Sequence, residues 1–180
     1  MDGHSELNKN KQSDVTSEND FINAWSDNYF LKTSAIVKRF GDMTVTYAVF
    51  MRRPVIFTPK LCVDWLEKVA RERGAEFDIK LLYDEGDWVG AGEPMMYITG
   101  SMAQLVDLET IYLQKLGAPC VAAYNAYTMC MDLPTVSFLA MDCRHCSGSI
   151  MADMMAYAAS VGSKAAHKES GAIGFVANAT

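Results

Sequence analysis

The sequence predicts an α+β N-terminal domain followed by the opening of a parallel β/α unit, and three observations predict it. Between about residues 21 and 132, stretches of helical spacing alternate with short runs of period two. Gly- and Pro-containing breakers separate those runs, as they do where antiparallel strands turn back. The last part of the chain then reads strand, helix, strand, the order that a parallel pair with a crossover helix requires. Residues 21–132 are therefore expected to form one α/β domain that includes the long helical segment. Residues 133–180 are expected to begin a second, truncated one.

Composition sets the outer limits. Half of the 180 residues are apolar, enough for one ordinary core. With 16 basic and 22 acidic residues the formal charge is -6, which argues against the clustered positive charge of a general nucleic-acid surface. No run has the length of a signal-peptide core or a membrane span, so a cytoplasmic protein with neither nucleic-acid nor membrane partners is expected. Residues 1–20 are polar and lack aromatic residues, which predicts a disordered tail with order beginning near Phe21. The cysteine count of five is odd, unlike a secreted disulfide framework. Cys62, Cys120 and Cys130 stand alone in apolar surroundings and are expected to be buried small hydrophobes.

The elements follow in order. "DNYFLKTSAIVKRF" has helical spacing, with Tyr29, Ile36, Val37 and Phe40 near one face, and Gly41-Asp42 stops it. "MTVTYAVFMRR" alternates Val45, Tyr47, Val49 and Met51 against Thr44, Thr46, Ala48 and Arg52, which predicts a strand. Pro54 and Pro59 bracket a loop. "KLCVDWLEKVARERG" then predicts a surface helix with Leu61, Trp65, Leu66 and Val69 inward, closed by Arg71, Arg73 and Gly74. "FDIKLLYDEGDWVGAGEPMMYITGS" predicts a small antiparallel sheet with tight turns. Its Gly-Ala-Gly lacks the further glycines and the helix of a dinucleotide fingerprint, so it is a turn. From Met102 a long helix is expected, with Leu105, Leu108, Tyr112, Leu113 and Leu116 at three- and four-residue steps. Glu109 on it is read as a satisfied buried carboxylate. A second helix over "CVAAYNAYTMCMDL" is closed by Pro134. "TVSFLA" predicts a strand apolar on both faces, "IMADMMAYAASVG" a helix and "GAIGFVANAT" a strand. The last strand has no neighbours after Thr180 to extend its sheet, and the simplest expectation is the N-terminal part of a longer protein.

Between that apolar strand and its helix lies "MDCRHCSGS", which admits two chemistries. Cys143-x-x-Cys146 before a helix suits thiol redox exchange or metal binding, with Arg144 and His145 adding positive charge. A structural zinc site wants four ligands, and no second C-x-x-C or H-x-x-x-H is present. The other chemistry is anion binding. Arg144 offers a planar fork for phosphate oxygens, His145 exchanges a proton near neutral pH, and Ser147-Gly148-Ser149 opens a helix with free N–H groups. The bland alternative pairs Arg144 with Asp142 or Asp153 and leaves His145 solvated.

Several stretches, taken together, resemble one family. "DNYFLKT" is similar to a D-x-Y element near its ordered start, and "VTYAVFMRR" to its aromatic strand ending in arginine. "EGDWVGAGEPMMYITGSMAQLVDLETIYLQKLG" carries its E-G, G-E-P, G and L-E-T landmarks in order. "MDCRHCSGS" falls at its Arg-centred phosphoribosyl motif, and "AYAASVGSKAA" and "GFVANAT" resemble the helix and strand that follow. From about Asp27 to Thr180 the chain resembles the N-terminal part of a type II phosphoribosyltransferase, most of all nicotinate phosphoribosyltransferase.

The resemblance implies an α+β N-terminal domain followed by the first strands and helix of an incomplete β/α barrel. It implies an enzyme that joins nicotinate to 5-phosphoribosyl 1-diphosphate, with Mg²⁺ accompanying the diphosphate, ATP as an optional co-substrate, and active sites at a homodimer interface. Carried over by position, Tyr29 stacks on the pyridine ring and Arg52 contacts phosphate, both across the interface. Arg144 holds the phosphoribosyl group or the ring carboxylate beside His145, and Asn178 and Thr180 fall near the next phosphoribosyl contact. The motif thereby resolves toward the anion site. Where relatives carry two adjacent basic residues, this chain has Arg144-His145 flanked by cysteines, which speaks against quinolinate, whose second carboxylate demands more cations. Quinolinate phosphoribosyltransferase stays the alternative within the fold. A non-catalytic binding domain and a C-x-x-C redox protein are the alternatives outside it.

Overall fold

A computed structural model describes residues 17–176. Its first helix, α1 (Glu18–Trp25), is capped by Ser17, whose Oγ accepts the Asp20 N–H at 3.2 Å. The expected disordered tail thus ends sooner than residue 20, because a local cap and acidic first-turn residues suffice to start a helix there. The remainder of that tail, 1–16, lies outside the described residues. The helix is clasped to α3 (Lys60–Arg73), where Trp65 Nε1 and Lys68 Nζ each donate to Glu18 at 2.6 Å.

After α2 (Asn28–Phe40), strand β1 (Thr44–Phe50) pairs antiparallel with β5 (Pro94–Ser101), which pairs on its other side with β3 (Asp78–Leu81). The β1–β5 register slips where Val49 opposes Met96 and Phe50 opposes Pro94. The bulge leaves Met95 without a β1 partner and lets Met95 and Met96 both turn inward, fully buried. Two-residue strands β2 (Val55–Ile56) and β4 (Trp88–Val89) make a second antiparallel pair. The three-stranded sheet, α1, α3 and the first half of α5 (Glu109–Asp132) enclose the main core, built on Ile22, Phe57, Leu66, Met96, Ile98 and Leu116.

The expected helix from Met102 is in fact two. A single turn, α4 (Met102–Leu105), is followed by α5, which then runs unbroken through Gly117 and Pro119 to Asp132. Proline inside a helix removes one hydrogen bond. Here Leu116, Pro119, Cys120 and Ala123 are all buried, and packing on both sides of the proline outweighs that loss. Other faces also differ from expectation. In α2 the buried residues are Phe30, Ser34 and Val37, whereas Tyr29, Ile36 and Phe40 are 58%, 57% and 77% exposed. In α3 Cys62 is buried and Leu61 is not. Cys62, Cys120 and Cys130 are all buried and outside any disulfide, as read from the sequence.

The remaining elements are β6 (Ser137–Leu139), a 3₁₀ turn (Asp142–His145), α6 (Ser149–Ser170) and β7 (Gly174–Val176). Strands β6 and β7 pair in parallel with α6 as the crossover, as the strand–helix–strand order requires. The strand expected to be apolar and buried on both faces is instead short, with Ser137 and Leu139 exposed, since among the described residues β7 alone lies beside it. Helix α6 packs along the second half of α5, and Gly162 makes their close approach: a Cβ there would lie 2.0 Å from the Ala123 carbonyl oxygen. Among the described residues no helix is long and apolar enough to cross a membrane.

Candidate functional site

The segment joining α1 to α2 is fastened to the start of α5. Ser26 Oγ donates to the Asp107 carbonyl, the Asp27 N–H donates to Thr110 Oγ1 at 3.2 Å, and that hydroxyl donates back to Asp27 Oδ2 at 3.2 Å. Asp107 is in turn gripped by Arg73 through two hydrogen bonds of 2.8 and 2.9 Å, with both side chains nearly buried. Arg73, at the basic end that closes α3, thus serves as a structural tie. These links hold Asp27 and Tyr29 beside Glu109, the first residue of α5.

Glu109 opens onto a groove of about 340 Å³ between β1 and α5. Its walls are Tyr47, Ala48, Val49 and Phe50 on one side and Glu109, Tyr112 and Leu113 on the other, with Arg52 also in the lining. Burial, and then the neighbouring Asp27 carboxylate, push the Glu109 carboxyl above its ordinary range. Burial raises the Tyr47 and Tyr112 hydroxyls, and Glu109 adds to both. Desolvation followed by the charges of Glu109 and Asp27 does the same for exposed Tyr29. Among the described residues Glu109 has no hydrogen bond or ion pair, so the satisfied carboxylate read from the sequence is not what the fold makes. Arg52 likewise forms no ion pair among them, whereas Arg53 lies 5.6 Å over the Tyr124 ring.

The predicted residues thus divide. Tyr29 and Arg52 come to one region through Glu109, which the sequence reading left out of the site along with Tyr47 and Tyr112. Their signal was present: Glu109, Tyr112 and Leu113 share a helical face at steps of three and four. Arg144 and His145 line no part of this groove. Both are exposed in the 3₁₀ turn before α6, and Arg144 makes no ion pair with Asp153. Helix α6 starts from Gly148 at φ 96°, and the Ser147 N–H points to Met151 Sδ at 3.4 Å. Asn178 and Thr180 lie outside the described residues. No three His, Cys, Asp or Glu side chains among the described residues converge on a point that could hold a metal ion.

Residues 27–120, just over half of the chain, match the family model described as quinolinate phosphoribosyl transferase, N-terminal domain. The chain belongs to this family. It is thereby placed among the type II phosphoribosyltransferases, and the groove between β1 and α5 lies wholly within the matched residues. Solved structures share the fold of this family member. A nicotinate-nucleotide pyrophosphorylase from Francisella tularensis superposes with a TM-score of 0.57 at 15% identity, over 81% of this chain and 53% of its own. The enzyme of that name from Pyrococcus furiosus gives 0.60 at 21%, over 84% and 39%. Human nicotinic acid phosphoribosyltransferase gives 0.61 at 19%, over 76% and 34%. The chain spans about half or less of each of these proteins. No curated protein matches it in sequence.

Proposed function

We propose that this chain is the N-terminal part of a phosphoribosyltransferase that joins a pyridine carboxylate to 5-phosphoribosyl 1-diphosphate. The observation that carries this function is Arg52, a guanidinium without an ion pair among the described residues, in an aromatic-walled groove of a domain from this family. In the transfer the ring nitrogen's lone pair forms a bond to C1 of the sugar. The C1–O bond to diphosphate breaks, and its electron pair leaves with the diphosphate. The protein's part is to position two anionic reactants and to receive the charge of the leaving group. Arg52 takes an anionic group in the groove, and Tyr29 contributes a ring for stacking. Arg144 and His145, exposed ahead of α6, form a separate anion contact, with Asn178 and Thr180 following in sequence. Mg²⁺ enters with the diphosphate, ATP is an optional co-substrate, and a homodimer brings the two groups of residues together.

Two pyridine carboxylates compete. The family match and the pyrophosphorylase neighbours favour quinolinate. The groove itself offers a single lining cation, because Arg53 is turned onto Tyr124, and this favours the one carboxylate of nicotinate. The test is mononucleotide formation by protein expressed from the complete reading frame, with each acid in turn and with and without ATP. Arg52→Ala is expected to lower kcat/KM by about a hundredfold, the loss typical of one charge-stabilising donor. Absence of transfer to either acid by the wild type sinks the proposal.

A further inference from the structure

Strand β3 is an outer strand of the three-stranded sheet, paired with β5 on one side and with no strand on the other among the described residues. Its backbone makes no hydrogen bond there except to β5. An open edge of this kind is a template for one more strand. Beside it, between β3 and α3, runs a groove of about 440 Å³ whose walls include Glu67, Ala70 and Arg71 of the helix and Phe77 and Ile79 next to the edge. Room is therefore present where an added strand places its own inward side chains.

The chemistry of the edge says which strand fits. Phe77, Ile79 and Leu81 alternate with Asp78 and Lys80. Phe77 and Ile79 pack against the main core, so the two charged residues stand on the opposite face of the sheet, and both are exposed. Neither makes an ion pair among the described residues. Antiparallel pairing of this stretch with itself, centred on Ile79, sets Asp78 of each copy opposite Lys80 of the other. The same register sets Ile79 opposite Ile79 and Phe77 opposite Leu81. Opposite charges then meet on one face and apolar side chains on the other. Moving the centre to Asp78 or to Lys80 sets like charges against each other, and a slip of one residue sets inward positions against outward ones. A lysine on an edge ordinarily discourages pairing, but here Asp78 of a second copy answers it.

We propose that β3 is an interaction surface for a second copy of this chain, joining two three-stranded sheets into one of six strands about a two-fold axis. The contact draws on none of the residues assigned to substrate, and it holds or fails independently of the proposed function.

The experiment is sedimentation velocity of protein expressed from the complete reading frame, over a concentration series of about 1–300 μM, the range suited to a small interface. The wild type is expected to double its mass as concentration rises. Asp78→Lys alone and Lys80→Asp alone should each weaken that step by about tenfold, since both cross-strand pairs turn from attraction to repulsion. Asp78→Lys combined with Lys80→Asp should associate as the wild type does. An equimolar mixture of the two single variants should do the same, because it restores opposite charges in both pairs, and its recovery shows that neither variant has failed to fold. A wild type that does not double overturns the proposal. So does a single variant that doubles at the wild-type concentration, or a mixture that fails to recover the step.

Discussion

Glu109 carries its charge at a cost in stability. Its carboxyl is raised by burial first and by Asp27 second, so the folded state holds its proton more tightly than the unfolded chain does. The stabilising contribution of such a group is fully present below the ordinary glutamate value of about 4.3 and is lost as pH rises through the raised value. Its place in the first turn of α5 works the other way, since a negative charge there gains about 0.3–1 kcal/mol from the helix dipole. Burial and a like charge outweigh that gain, as the upward direction of the shift indicates. Glu109→Gln is therefore expected to stabilise the protein near neutral pH by about 0.5 kcal/mol, discounted for the water that screens its open side. The gain should vanish toward pH 4. Urea titrations of both forms across that range would check it, and a variant less stable than wild type at pH 7 would show that Glu109 has a partner within the chain.

At the scale of elements, the α5–α6 seam makes the sharpest prediction. A methyl group at Gly162 meets the Ala123 carbonyl at 2.0 Å and backbone on either side of it, none of which can swing away. Gly162→Ala should cost about 2 kcal/mol or more, as overpacking against backbone does. Gly117, also within a helix, has only the flexible end of Met51 near its would-be Cβ, at 3.8 Å. Gly117→Ala should stabilise by about 0.5–1 kcal/mol through helix propensity. Thermal unfolding of the pair would separate packing from propensity: a stable Gly162→Ala would refute the first assignment, and a destabilised Gly117→Ala the second. The contrast also explains what could be read in advance. The limits of α3 were legible because Pro59 and Gly74 act on their own few residues. The inward face of α2 was not, because Tyr29, Ile36 and Phe40 are as apolar as Phe30 and Val37, and the polar Ser34 conceals the stripe that is buried. Likewise Gly117 and Pro119 look like a boundary until both flanks of α5 are covered. Arg52 at the end of an alternating strand could be singled out locally. The company it keeps could not, since Asp27, Tyr29 and Glu109 meet only through hydrogen bonds some eighty residues apart in sequence.

At the scale of the whole molecule, the two ends of the fold are unequally finished. The antiparallel sheet is covered by α1, α3 and α5 and carries a continuous core. Among the described residues the parallel pair β6–β7 is covered by α6 and by the end of α5, where Phe138 packs with Cys130, Met131 and Ala166. Around it Leu139 and Ile173 are exposed, as are Val136, Met141 and, most of all, Ile150 at 82%. Parallel strands are stable when both faces are buried, and a two-stranded parallel pair with open edges presents both apolar side chains and unpaired backbone groups. The exposed apolar residues of α2 lie on a different element, so the chain carries two such regions. Residues 1–180 expressed alone are therefore expected to associate at concentrations of about 100 μM and to bind an apolar dye. Protein from a longer reading frame that covers β6 and β7 should do neither through this region. Ile150→Lys with Leu139→Lys should reduce association of the 180-residue form if the parallel unit is the source. Ile36→Lys with Phe40→Lys should reduce it if α2 is. Sedimentation velocity distinguishes these outcomes. A monodisperse monomer with no dye binding would mean that β6 and β7 are stable as an open pair, against the expectation that a parallel sheet needs neighbours.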